Sequence, residues 1–196
     1  MICRGQHHCL PILIGGGVEQ AFVYNHVLRV PENAESIPNL HLNRISVTSH
    51  LNPVQPSYRL LSDLIAQNGH GDRKDLILKL DLDGKEYNVL HTVSHETLMQ
   101  FSQIVIVFRG LLQSRLENLI CFALDKLNST HQLVHVHGDN SSSVEMRGGK
   151  VLPNVLECTY LRRDLGEFIK SKRFFPTLLD APNDPTKPDL NLGYWG

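Results

Sequence analysis

The run Leu76-Ile77-Leu78-Lys79-Leu80-Asp81-Leu82-Asp83-Gly84-Lys85-Glu86-Tyr87-Asn88-Val89-Leu90 decides the fold. Its apolar first half reads as a buried strand, Leu76 to Leu82. Two carboxylates and a glycine end it, and an amphipathic segment follows. Open α/β sheets collect ligands at the carboxyl ends of such strands. Asp81 and Asp83 are two apart, so both point to one side if the strand continues that far. They are candidates to touch an acceptor substrate, a metal or a cofactor. The competing reading is that they cap the helix that follows. Glu86 reads as a solvated helix residue or a partner for Lys85.

Working outward, strand-like and helix-like segments alternate, which predicts an α/β layered fold. Leu10 to Ile14 is a short apolar run stopped by Gly15-Gly16-Gly17, and Ala21 to Val30 is strand-like up to Pro31. Leu40 to Val47 alternates. Tyr58 to Gln67 carries Leu60, Leu61, Leu64 and Ile65 on one helical stripe. Ser94 can cap a helix from His95 to Phe101. Gln103 to Phe108 is a second buried strand, and Leu111 to Leu127 is the longest helical pattern. Gln132 to His137 and Val155 to Leu161 are the last strands, joined by a Ser- and Gly-rich loop. After Phe174 come Pro176, Pro182, Pro185 and Pro188, an irregular tail. Residues 1–196 read as one domain, with a divergent start over 1–19 and the Pro-rich tail over 174–196.

Composition bounds the function classes. The chain has 196 residues, enough for one full core, and a formal net charge of -1. That charge gives no electrostatic case for nucleic acid or an anionic membrane. No apolar run approaches the roughly 20 residues of a membrane span. Met1 to Pro11 lacks a long apolar stretch, so no secretory signal is expected. The cysteines, Cys3, Cys9, Cys121 and Cys158, form no disulfide framework and point to a reducing, cytoplasmic setting. Cys3 and Cys9 flank His7-His8 without a later ligand pair. Arg162-Arg163 with Lys170, Lys172 and Arg173 reads as a solvated basic face, and Tyr194 and Trp195 as a packed or frayed end.

Five segments resemble one family. The Lys79 to Glu86 stretch is similar to the "K-I-D-[VI]-E-G-A-E" segment of the FkbM-like methyltransferases, with Asp83 where Glu is usual and Lys85 where Ala is frequent. Gln103 to Leu111 resembles that family's "Q-I-V-x-E-[FL]-H" strand. His131 to Asn140 resembles its "H-x-H-x-N-N" strand end, and Leu152 to Arg163 its "L-P-x-x-[LI]-E-[VL]-T-Y" strand. Phe175 to Leu190 resembles the closing segment of one subgroup, and Phe22 to Leu28 that subgroup's second strand. The resemblance implies a Rossmann-like class I methyltransferase sheet, mostly parallel with an antiparallel end. It implies S-adenosylmethionine as cofactor and O-methyl transfer to a hydroxylated acceptor, a small molecule or glycan such as a sugar. In that mechanism a base removes the hydroxyl proton as oxygen attacks the sulfonium methyl. Asp81, Asp83 and His137 would be catalytic, Asn25 and Asp81 would touch the cofactor, and Asn140, Glu157 and Arg109 the acceptor.

The departures shape further expectations. The family holds its cofactor at a first strand, a glycine-rich turn and a helix N-terminus. Here four residues separate Gly16 from Ala21, and a parallel crossover needs at least about 10 to 12. The first crossover helix is therefore expected to be missing, with Gly15 to Gly17 a plain turn. Asn25 stands where a carboxylate binds the ribose, Val107 replaces Glu, and Arg109 replaces His. Weak or absent cofactor binding follows. Loss of cover over Phe22, Tyr24 and Ile77 predicts a homodimer or partner. A non-catalytic remnant that binds a ligand or protein is the second reading. The third is a metal site using His135 and His137, which share one strand face, with Asp81.

Overall fold

A computed structural model of the protein describes residues 20–24, 38–51 and 57–195, and the backbone of 12–16. Asn25 lies outside the described residues, as do Cys3, His7, His8 and Cys9. The strands are β1 (Ile12–Gly16), β2 (Ala21–Tyr24), β3 (Leu40–Asn43), β4 (Ser46–Val47), β5 (Tyr58–Arg59), β6 (Leu76–Leu80) and β7 (Phe101–Arg109). They continue with β8 (His131–Gly138), β9 (Val144–Arg147), β10 (Lys150–Pro153), β11 (Val155–Arg162), β12 (Phe174–Phe175) and β13 (Gly193–Tyr194). The helices are α1 (Leu61–Gln67), α2 (Glu86–Thr92), α3 (His95–Leu98) and α4 (Glu117–Thr130).

A 7-stranded sheet runs in the order β3-β2-β1-β6-β7-β11-β8. Strand β1 thus stands between β2 and β6, and β11, although it follows β8 in the chain, inserts between β7 and β8. The α/β class and the antiparallel end agree with expectation. The expected mostly parallel sheet does not: β2–β3 and β6–β7 are parallel, whereas β1 and β11 are antiparallel to both their neighbours. The reason at β1 is the short connection, which a hairpin can span and a parallel crossover cannot. Gly15 and Gly16 do not form the expected turn; they belong to β1, opposite Ile77 and Leu76. The Ser- and Gly-rich loop also holds more order than expected, because β9 and β10 pair within it.

Cross-strand register explains the core. Leu78 and Leu80 of β6 lie beside Ile104 and Ile106 of β7. Those lie beside Tyr160 and Cys158 of β11, which face Leu133 and Val136 of β8. All but Leu133 are buried. Helix α4 adds Ile120, Ala123 and Leu127 at helical spacing, and α2 adds Val89 and Leu90. Helix α3 starts where Ser94 accepts a hydrogen bond from the Thr97 N–H at 3.1 Å, the cap expected from the sequence.

The opposite face is different. Ile77, Lys79, Val105, Thr159 and His135 lie there, and Ile77 is 38% exposed. Leu76 to Leu80 therefore alternates, buried on one side only, and is not the doubly buried strand expected. The expected loss of cover holds at Ile77 alone. Phe22 and Tyr24 are buried, Phe22 stacked on His41 at 4.5 Å and Tyr24 bonded through its hydroxyl to Asn68. Arg162, expected on a solvated face, is also buried. Its guanidinium donates to the Lys74 and Met99 carbonyls at 2.5 and 2.8 Å and ties β11 to the turns before β6 and β7.

Leu78→Ala should cost about 2 to 5 kcal/mol, since its side chain is fully enclosed between neighbouring strands and helices. Urea unfolding should show a lower midpoint at an unchanged slope.

Candidate functional site

The turn that follows β6 builds the site. Strand pairing ends at Leu80, so Asp81 and Asp83 do not continue on one strand face. Asp83 takes a left-handed conformation, φ +53°, and Gly84 follows at φ +94°. Aspartate tolerates that region better than most residues, and glycine adopts it without strain. The reversal separates the two carboxylates. The Asp81 side chain is 7% exposed and the Asp83 side chain 93%.

Arg109, at the end of β7, reaches both. Its Nε and Nη2 donate to Asp81 Oδ1 at 3.3 and 3.2 Å. Its Nε also stands 3.5 Å from Asp83 Oδ1. Parallel pairing of β6 and β7 brings these strand ends together on one edge of the sheet.

Glu86 is the residue that the sequence reading misplaced. It opens α2 and is fully buried, neither solvated nor paired with Lys85. Its Oε1 accepts the Leu82 N–H and so closes the turn that carries Asp81 and Asp83. Its Oε2 is buried with no hydrogen-bond partner among the described residues. Burial, with the Asp81 charge adding to it, raises the carboxyl to about 7 against the pull of backbone N–H groups and Arg109. Burial likewise raises Asp81, opposed chiefly by Arg109. The available signal was the spacing: a carboxylate at the first position of a helix, four residues after the Leu82 N–H that it accepts.

His137 and Asn140 sit on the same edge of the sheet as Asp81, because β6 and β8 run in the same direction. Strands β7 and β11 stand between them, a separation of roughly 14 Å at ordinary strand spacing. Their partners belong to the tail. His137 Nε2 lies 3.1 Å from both Asp189 oxygens, and His135 Nε2 lies 2.8 Å from Asp180 Oδ1. The Asn140 amide donates to the carbonyls of Asp184, Lys187 and Pro188 and accepts the Asp184 N–H at 2.8 Å. A Cβ on Gly138 would come within 2.9 Å of the Leu190 side chain, so the tail packs closely against the bare backbone there. The tail thus packs over the polar sheet face, with Phe175 edge-on to His135 at 5.2 Å.

Glu157 pairs with Lys79, Nζ to Oε2 at 2.5 Å, passing over β7 where Val107 leaves no polar group between them. His135 and His137 hold separate tail carboxylates, and among the described residues no three His, Cys, Asp or Glu side chains come together as a metal site. Burial pushes the Cys158 thiol far up, so it is not poised as a nucleophile. Among the described residues, no helix is long and apolar enough to cross a membrane. Comparison with known protein families, with curated proteins and with solved structures finds no match to this chain.

Two outcomes follow. Because the folded-state value of Glu86 is raised, the fold favours its protonated form. Its contribution is full below about pH 4.5 and is lost as pH rises to about 7, a loss of about 3 kcal/mol. His131 works in the opposite direction. It is fully buried between Thr130 and the Phe101 carbonyl, its value is lowered by burial, and stability falls as pH drops below about 6.5. Glu86→Gln should remove the decline between pH 5 and 8 and leave the acid-side loss, as read by urea midpoints across pH. Asn140→Ala should cost about 1 to 3 kcal/mol and speed proteolytic cleavage within residues 176–189, with the helical far-ultraviolet signal retained.

Proposed function

We propose that this chain is an S-adenosylmethionine-dependent methyltransferase-like protein of the FkbM type, acting by O-methyl transfer to a hydroxylated acceptor such as a sugar. The observation that carries the reading is the placement of the Asp81 segment. The residues that resemble the family's "K-I-D-[VI]-E-G-A-E" motif end β6 at the edge of the sheet where α/β proteins collect ligands. They hold a buried carboxylate beside a guanidinium and a second buried carboxyl.

Bound cofactor supplies an electrophilic methyl group on a sulfonium centre. The chain's own residues orient the acceptor hydroxyl and take its proton, and Asp81 is the acceptor of that proton. Arg109 holds the Asp81 carboxylate in place, and Glu86 fixes the turn on which it stands. The crossover that would aim a helix N-terminus at the cofactor's polar tail has no counterpart between β1 and β2, which are antiparallel.

That same antiparallel pairing favours a second reading, a non-catalytic remnant of the fold that binds a ligand or a partner protein. Val107 in place of an acid, and the Lys79–Glu157 pair beside it, add to it.

Titration calorimetry with S-adenosylmethionine and S-adenosylhomocysteine separates the two. Saturable binding between about 1 μM and 1 mM, roughly -8 to -4 kcal/mol, is expected, and Asp81→Asn should weaken it. Heats that do not saturate at millimolar cofactor establish the remnant instead.

A further inference from the structure

The charges at the carboxyl edge of β6 do not balance. Asp81 and Asp83 share one guanidinium, that of Arg109, and Glu86 is tied to the same turn through the Leu82 N–H. Lys79 also acts on Asp81, but its ammonium is paired with Glu157. Both contacts from Arg109 to Asp81 fall on Oδ1, so the fork does not close bidentately on the carboxylate. The second sign is independent of charge counting. Glu86 is fully buried, yet its Oε2 has no donor among the described residues. The other oxygen of the same carboxyl accepts the N–H of Leu82, the residue next to Asp81. A buried acceptor without a partner calls for a missing donor.

We infer that this edge is a binding site for a ligand carrying a protonated amine, so that the acceptor is an amino-bearing hydroxyl compound of the amino-sugar class. The inference rests on the methyltransferase reading only for the word acceptor; the site itself stands on the carboxylates. An ammonium suits it better than the alternatives. It is a compact charge with rotatable donors, able to reach oxygens of different carboxylates, whereas Arg109 already fills the planar position on Asp81 Oδ1. A divalent metal needs a set of ligands that does not come together among the described residues. Asp83, exposed at the rim, gives the incoming cation its first attraction, and the buried carboxylates hold it.

The probes are D-glucosamine and N-acetyl-D-glucosamine, the same sugar with and without the positive charge, titrated at pH 7 without cofactor. Backbone amide shifts of Leu82 to Glu86 are followed by nuclear magnetic resonance. Glucosamine should bind saturably and at least tenfold tighter than the acetylated sugar. Asp81→Asn and Glu86→Gln should each weaken it about tenfold. Asp83→Asn should weaken it about threefold; this exposed position keeps a residue that tolerates φ > 0, so its fold is not at risk. Raising salt should weaken glucosamine binding and leave the acetylated sugar unchanged.

Equal binding of the two sugars, binding of neither at 50-fold the concentrations that are about millimolar, or binding indifferent to Asp83→Asn would overturn the inference. The cofactor titration fails separately. Glucosamine binding without cofactor binding keeps the cation site and removes the methyltransferase reading. Cofactor binding without discrimination between the sugars does the reverse.

Discussion

A sheet with helices over one face must find another cover for its second face, and most of this structure follows from that constraint. The face of Leu78, Leu80, Ile104, Ile106, Cys158 and Tyr160 is closed by α2 and α4 and forms an apolar core. The opposite face carries Lys79, Thr159, His135, Glu157 and His137, which are not apolar enough to bury against a helix. The chain meets this with charge and with its own tail. Lys79 and Glu157 pair over β7, and the two histidines of β8 each bond a tail carboxylate. Asn140 then satisfies backbone groups of the irregular tail, which has no ladder of its own over residues 176–192 to do so.

The carboxyl edge of β6 works by a different balance. Asp81 and Glu86 are withdrawn from water with less positive charge around them than two carboxylates require. Their proton affinities rise for that reason, and Arg109 compensates in part. Groups perturbed by burial beside a specific charge, at a strand end, are where α/β sheets concentrate their chemistry. The clasp on the tail is not of this kind. Its histidines are engaged by carboxylates from a segment of the same chain, which gives them a structural task whatever else happens at the edge.

Much of the fold was legible. Alternation of apolar segments fixed β6, β7, β8 and β11, and the Ser94 cap fixed the start of α3. The short link from Gly16 to Ala21 showed that no crossover helix joins β1 and β2, since a dozen residues cannot be replaced by four. The lysine inside Leu78-Lys79-Leu80 is the sign that this strand has one wet face. Asp81 and Arg109 were singled out and do meet. Glu86 is not legible in this way, because a charged residue at a helix start is ordinarily solvated. Glu157, His135, His137 and Asn140 were singled out for chemistry, and each proves to have a partner within the chain.

What the sequence determined by itself was local: periodicity, caps, the length of a connection, and the end of a strand in carboxylates. These depend on neighbours within a few residues, so spacing reveals them. What only the tertiary structure decided was partnership across long separations. Asp180 and Asp189 reach residues 45 and 52 positions away, and Glu157 reaches Lys79 at 78. The burial of Glu86 belongs to the same class. It depends on how α2 closes over β6 and β7, and a side chain's exposure to water is a property of everything packed around it rather than of its own position in the chain.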